Sequence, residues 1–232
     1  MPLVFIQGRL AFFAHVPKCG GTAVENYLHA RFGRLAFLDR AFNKIPDAER
    51  WTKTSPQHLE AAAFDRIIPQ SWVTHRFAVI RHPQDRIVSV FRFQRDVERS
   101  IDEGLSFSDW LAAQETLMTG DRHRLDNHAR PATDLVPADC RIFRLEDGLG
   151  DLVGWLDQIE GASRAPREVG RANDYGKVMG FLGREPRPAP DVTAEDQATI
   201  ARIYAADFTR FGYTPYPATS TASPKACKDD SE

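Results

Sequence analysis

Hydrophobic positions along this chain fall into short unbroken runs and helically spaced sets, and the two alternate. Residues 10–14 (LAFFA) read as a buried strand, because a short apolar run bounded by polar residues and glycine suits a strand covered on both faces. Residues 22–32 follow as a helix, with Val24, Tyr27, Leu28 and Phe32 at helical spacing. The pattern then repeats. Residues 77–80 read as a second buried strand, Pro83 suits the first position of a long helix, and Ile87, Val90, Phe91 and Gln94 or Val97 mark one face of it. Residues 140–147 (CRIFRLED) predict a third strand, and residues 149–159 and 106–117 predict further helices. Ser55 before Pro56 predicts the capped start of another helix, with His58 in its first turn. Residues 34–57 and 120–133 are irregular and Pro-marked, and Thr193 with Asp196 resembles a capping box opening a helix through residue 208. Past residue 216 the composition turns to Ser, Thr, Pro and charge. The expectation is one domain over residues 1–216 and a disordered tail over 217–232. Strands alternating with helices predict an α/β fold with a mostly parallel central sheet flanked by helices, whose ligands sit at the carboxyl ends of the strands.

Composition narrows the partners. At 232 residues and 42% apolar, the chain can bury one sizeable core. Thirty basic against thirty-two acidic side chains leave a net charge of −2, so no global field draws it to nucleic acid. Cys19, Cys140 and Cys227 are too few and too scattered for a disulfide framework, which predicts reduced thiols and a cytoplasmic location. No stretch approaches the ~20 apolar residues of a membrane-spanning helix, so the expectation is a soluble protein, at most peripheral to a membrane.

An anion site must therefore be local, and two turns offer one. In HVPKCGGTAV, residues 15–24, Gly20 and Gly21 permit a tight turn with close backbone approach, Lys18 brings a positive charge, and Thr22 a hydroxyl at the helix start. Lys18 precedes both glycines, whereas the nucleoside-triphosphate pattern GxxxxGK[ST] places Lys after them, so a kinase-type site is poorly matched. In RHPQDRIVS, Arg81 ends a strand while Arg86 and Ser89 follow on the next helix, where all three can converge at its start. Residues 76–99 hold six arginines against three acids, so this segment is locally basic.

Together the turns resemble a known pair. HVPKCGGTAVENYL is similar to the HVPKTGGT loop, and FAVIRHPQDRIVSVFR to the RxPxxRxxS motif, of sulfotransferases that use 3′-phosphoadenosine 5′-phosphosulfate (PAPS); the likeness is closest to the carbohydrate (Golgi-type) group and its bacterial relatives. The SPQH, NHARP, RLED and IYAADFTRFGY segments resemble the same group, so the likeness spans most of residues 10–216. The resemblance implies a P-loop NTPase-like three-layer fold. It also implies PAPS as donor, its adenosine 3′,5′-bisphosphate (PAP) as product, no metal, and a hydroxyl acceptor, carbohydrate or glycoconjugate. Carried over by position, Lys18, Cys19, Gly20, Gly21, Thr22 and Ala23 would bind the 5′-phosphosulfate, and Arg81 and Ser89 the 3′-phosphate. Cys19 stands where the family usually has Thr, and NHARPA departs from NHxRPQ. A PAP-binding module without catalysis is the alternative, a P-loop kinase the weaker one.

Sulfuryl transfer asks for alignment and charge stabilisation, which Lys18 supplies at the leaving phosphate. The acceptor hydroxyl needs a base, and His58 is the candidate, with Glu60 a weaker rival. Glu25 reads as a solvated helix residue and His15 as packing at a strand end. His123, Arg124, Asn127, His128 and Arg130 are candidates for an acceptor cleft or a solvated loop, and the histidines show no zinc spacing. Cys19, beside Lys18 at a helix start, is expected to favour its thiolate.

Overall fold

A computed structural model describes residues 1–163 and 165–217. Beyond Pro217, the expected tail lies outside the described residues.

Four strands lie side by side in chain order: β1 (Leu3–Ile6), β2 (Arg9–His15), β3 (Val73–Ile80) and β4 (Arg141–Arg144). β1 runs antiparallel to β2, and the β2–β3 and β3–β4 pairs are parallel. The sheet is therefore mostly parallel, as the alternating pattern predicts. β1 was not foreseen as a strand. Gln7 and Gly8, both at positive φ (51° and 72°), form a two-residue hairpin turn that folds the first apolar run back onto β2.

The helices are α1 (Gly21–Phe32), α2 (Ala61–Ile67), α3 (Pro83–Arg92), α4 (Phe107–Gly120), α5 (Ala132–Leu135), α6 (Gly150–Glu160), α7 (Tyr175–Phe181), α8 (Ala194–Ile203) and α9 (Ala205–Phe211). Alternate residues of β2 serve opposite faces. Phe12 and Ala14 pack with Phe64 of α2, Leu135 of α5 and Phe211 of α9, while Ala11 and Phe13 pack with Val24 and Leu28 of α1 and Leu152 and Leu156 of α6. Three layers result. A further apolar cluster, with Phe91, Trp110, Ile200 and Tyr204, joins α3, α4 and α8 at one side. Among the described residues no helix is long and apolar enough to cross a membrane.

Local departures from the pattern matter for the site. The helix expected at Ser55 is a single 3-10 turn, Pro56–His58, and Leu59 and Glu60 are extended before α2 starts. The helix from Pro83 passes at Phe93–Glu98 into a π-helical turn, a widening that favours functional sites. The last expected helix breaks at Tyr204 into α8 and α9, and the Thr193–Asp196 capping box is present as read.

Candidate active site

The parallel register sets the carboxyl ends of β2 and β3 beside one another, with His15 opposite Val79. The two basic turns therefore leave adjacent strands. After β2 the chain turns through Lys18 (φ 66°) and Gly20 (φ 78°), and the N–H of Cys19 donates to the carbonyl of Val16 at 3.3 Å. The carbonyl of Gly20 accepts from Ala23 and Val24, which starts α1. Among the described residues, the N–H groups of Gly20, Gly21 and Thr22 have no hydrogen-bond acceptor, so they form an anion cradle at a helix start. Gly21 is obligatory for a second reason: a Cβ there would lie 2.0 Å from Nε2 of His15.

Lys18 is half-buried with its Nζ 3.8 Å from the centre of the Phe93 ring, on the π-helical turn. Burial pulls its pKa down to about 8, Glu98 opposes that fall, and Arg81 adds to it. The Thr22 hydroxyl accepts from the Asn173 amide at 3.0 Å. On the second turn, Arg81 and Ser89 are half-buried, and among the described residues neither the guanidinium nor the hydroxyl has a hydrogen-bond partner. Arg86 corrects the expectation of three converging groups. It is buried and donates to the carbonyls of His128 (3.0 Å) and Arg130 (2.7 Å), so it braces that loop instead of facing an anion.

Cys19 also differs from its expectation. Its side chain is buried in the core, where loss of solvation pushes the thiol up to about 12 against the pull of Arg86 and Arg81. The thiolate is disfavoured, and only the backbone of residue 19 faces the turn's chemistry.

His58 sits at the end of its 3-10 turn, buried, and its Nδ1 lies 2.7 Å from Oδ2 of Asp126 and 3.0 Å from the Ser55 hydroxyl. Asp126 also accepts the Ser55 N–H at 2.6 Å and the Ser55 hydroxyl at 2.7 Å. Its carboxyl is held well below the ordinary range: burial would raise it, but His58 and the hydrogen bonds outweigh that. An ionised carboxylate on Nδ1 places the proton there and leaves Nε2 with the lone pair. Leu125, Asp126 and Asn127 all have φ near +55° (54°, 53° and 62°), and the Asn127 amide donates to the His58 carbonyl at 2.8 Å. This loop wraps onto the SPQH turn.

Two more imidazoles join. His15 meets His58 edge to face with ring centres 4.7 Å apart, and His128 meets it at 5.0 Å. His128 Nδ1 lies 3.2 Å from the Gln94 amide and its ring packs on Phe93, which connects the His58 cluster to the ring that carries Lys18. Burial holds His15 at about 4 and His128 well below its usual value, so both are neutral at pH 7. Glu25 is not solvated as expected; it is buried, its Oε1 2.5 Å from His15 Nδ1. Glu60, the rival base, is tied to Arg130 in an ion pair. His58, Asp126 and His128 have ligand atoms all within 4.8 Å of one another, the residues in the described chain best placed to hold a metal ion. Asp126 was missed because no spacing rule links it to Ser55, 71 positions away. Of the acceptor-cleft candidates, Asn127, His128 and Arg130 are buried structural partners of this cluster, and His123 and Arg124 are half-buried on the loop before them.

The model of a family described as the sulfotransferase family matches residues 7–214. No curated protein matches the chain. Among solved structures, a sulfotransferase from Alicyclobacillus acidocaldarius is similar at 16% identity, over 86% of this chain and 93% of that one, with a TM-score of 0.42.

Proposed function

Because the chain belongs to the sulfotransferase family, we propose that it moves the sulfuryl group of PAPS to a hydroxyl of a carbohydrate or similar acceptor, in the cytoplasm, with residues 1–216 as one transferase domain. The observation that carries the reading is a set of anion-binding groups without a hydrogen-bond acceptor on adjacent strand ends. They are the N–H groups of Gly20, Gly21 and Thr22, the Lys18 ammonium, the Arg81 guanidinium and the Ser89 hydroxyl. Basic side chains and helix-start N–H groups gathered at adjacent strand ends suit an anion that pairs them. One turn suits a 5′-phosphosulfate on the N–H groups of Gly20, Gly21 and Thr22 and on Lys18. The other suits a 3′-phosphate on Arg81 and Ser89.

In this reading His58 takes the proton of the acceptor hydroxyl on Nε2, while Asp126 fixes the tautomer and balances the imidazolium that forms. Lys18 offsets the charge that develops on the departing 5′-phosphate. The products are a sulfate ester, PAP and a proton held by His58. Transfer of labelled sulfuryl from PAPS to a panel of hydroxyl acceptors tests the assignment. His58→Ala should lose transfer by about 10²-fold or more while keeping its affinity for PAP. Undiminished transfer in that variant would remove His58 from the role, and absence of transfer by the folded wild type to every acceptor would favour a non-catalytic PAP-binding module.

A further inference from the structure

The His15–Glu25 pair has no part in the chemistry proposed above, yet it is costly to build. A carboxylate and an imidazole are buried together, 3% and 6% exposed, and their bond ties the last residue of β2 to the first turns of α1 across the anion-binding turn. Glu25 is one helical turn beyond Gly21, so the bond closes a clasp around residues 16–20. The second carboxylate oxygen lies 3.9 Å from Arg40.

The ring so held touches both halves of the site. One side occupies the space any side chain on residue 21 would need, 2.0 Å from an added Cβ. Its edge or face meets the His58 ring, with centroids 4.7 Å apart and planes at 89°. Without Glu25, nothing among the described residues would fix the rotation of that ring by a hydrogen bond.

Resting on the reading of the donor turn and of His58 given above, we propose that His15, locked by Glu25, is a positioning residue that sets the distance between the anion-binding turn and the base. In-line transfer needs the reacting atoms about 3–3.5 Å apart, and a displacement of about 1 Å costs about 10²-fold. The donor turn keeps its own backbone bonds and His58 keeps Asp126, so loss of the spacer alters their register before it alters either part.

The test compares wild type with Glu25→Gln, which keeps size, and Glu25→Leu, which removes the acceptor. Four readouts are taken: calorimetric affinity for PAP, thermal melting, the ring-nitrogen resonances of ¹⁵N-histidine-labelled protein, and release of inorganic sulfate from labelled PAPS with water as acceptor. The expected result is PAP affinity within about threefold of wild type, displaced His58 resonances, and hydrolysis lowered about 10–10²-fold, with Glu25→Gln the milder variant. His58 resonances unmoved in both variants would overturn the inference. So would a parallel loss of PAP affinity and thermal stability, which would make the pair a structural brace only. A wild type that fails to bind PAP would instead overturn the reading of the turn, visible with Glu25 intact.

Discussion

Asp126→Asn probes the account at its narrowest point. The carboxylate accepts from the Ser55 N–H (2.6 Å), the Ser55 hydroxyl (2.7 Å) and His58 Nδ1 (2.7 Å). An asparagine keeps one oxygen for the Ser55 N–H and presents an amide N–H₂ to the imidazole. His58 Nδ1 then becomes the acceptor, the proton moves to Nε2, and the nitrogen facing the acceptor can no longer take a proton. A hydrogen bond to a charged group is worth about 1.5–3 kcal/mol, and the amide restores part of it, so the stability cost is about 1–3 kcal/mol. The catalytic cost is larger, since a general base contributes about 10²–10⁴-fold. The sign with pH is also fixed. Asp126 is depressed in the folded state, so its stabilisation is present above the ordinary carboxylate pKa of about 3.9 and is lost as pH falls toward the folded value. Denaturant melts of both proteins should therefore differ at pH 7 and converge in strong acid. Turnover within about threefold of wild type in a folded Asp126→Asn protein would refute the tautomer argument.

Three further outcomes follow from the same geometry. Lys18→Met should weaken PAP binding yet stabilise the free protein. A lysine whose folded pKa is about 8 costs stability below that pH and is relieved as pH rises toward its unfolded value, so the gain at pH 7, by thermal melt, is on the order of 3 kcal/mol at most. Gly21→Ala should destabilise by about 1–3 kcal/mol and abolish PAP binding, and the melt of a Gly21→Ala/His15→Ala double variant should recover part of the stability, because the clash is with the His15 ring. Iodoacetamide applied to the native protein should leave Cys19 unmodified by mass spectrometry and PAP affinity unchanged, because burial pushes that thiol up to about 12; rapid alkylation at Cys19 would contradict its place in the core.

The parallel sheet, the two glycines and the basic ends of β2 and β3 were legible because each is written in a few neighbouring residues: an apolar run, a GG pair, an Arg before His-Pro. The groups that tune the site were not. Asp126 reaches His58 only because three successive residues adopt positive φ, a conformation that Leu125 and Asp126 do not advertise. Glu25 looked solvated because its helix neighbours Asn26 and His29 are, and only the fold shows that its side chain turns under the β2 end. Arg86 and Cys19 misled in the opposite direction. Both stand in motifs that read as anion sites, yet one spends its guanidinium on buried carbonyls and the other packs its thiol among apolar side chains. β1 was hidden by its turn residues, which read as an interruption and are a hairpin.

The central claim is that the two strand-end turns hold the two phosphate-bearing ends of one nucleotide, and calorimetric titration with PAP, beside ATP and adenosine 5′-monophosphate, tests it most directly. The account predicts selective binding of PAP that weakens at least about tenfold in Arg81→Ala, with adenosine 5′-monophosphate affected little by that substitution. Equal affinity for PAP and ATP, or PAP binding indifferent to Arg81, would contradict it.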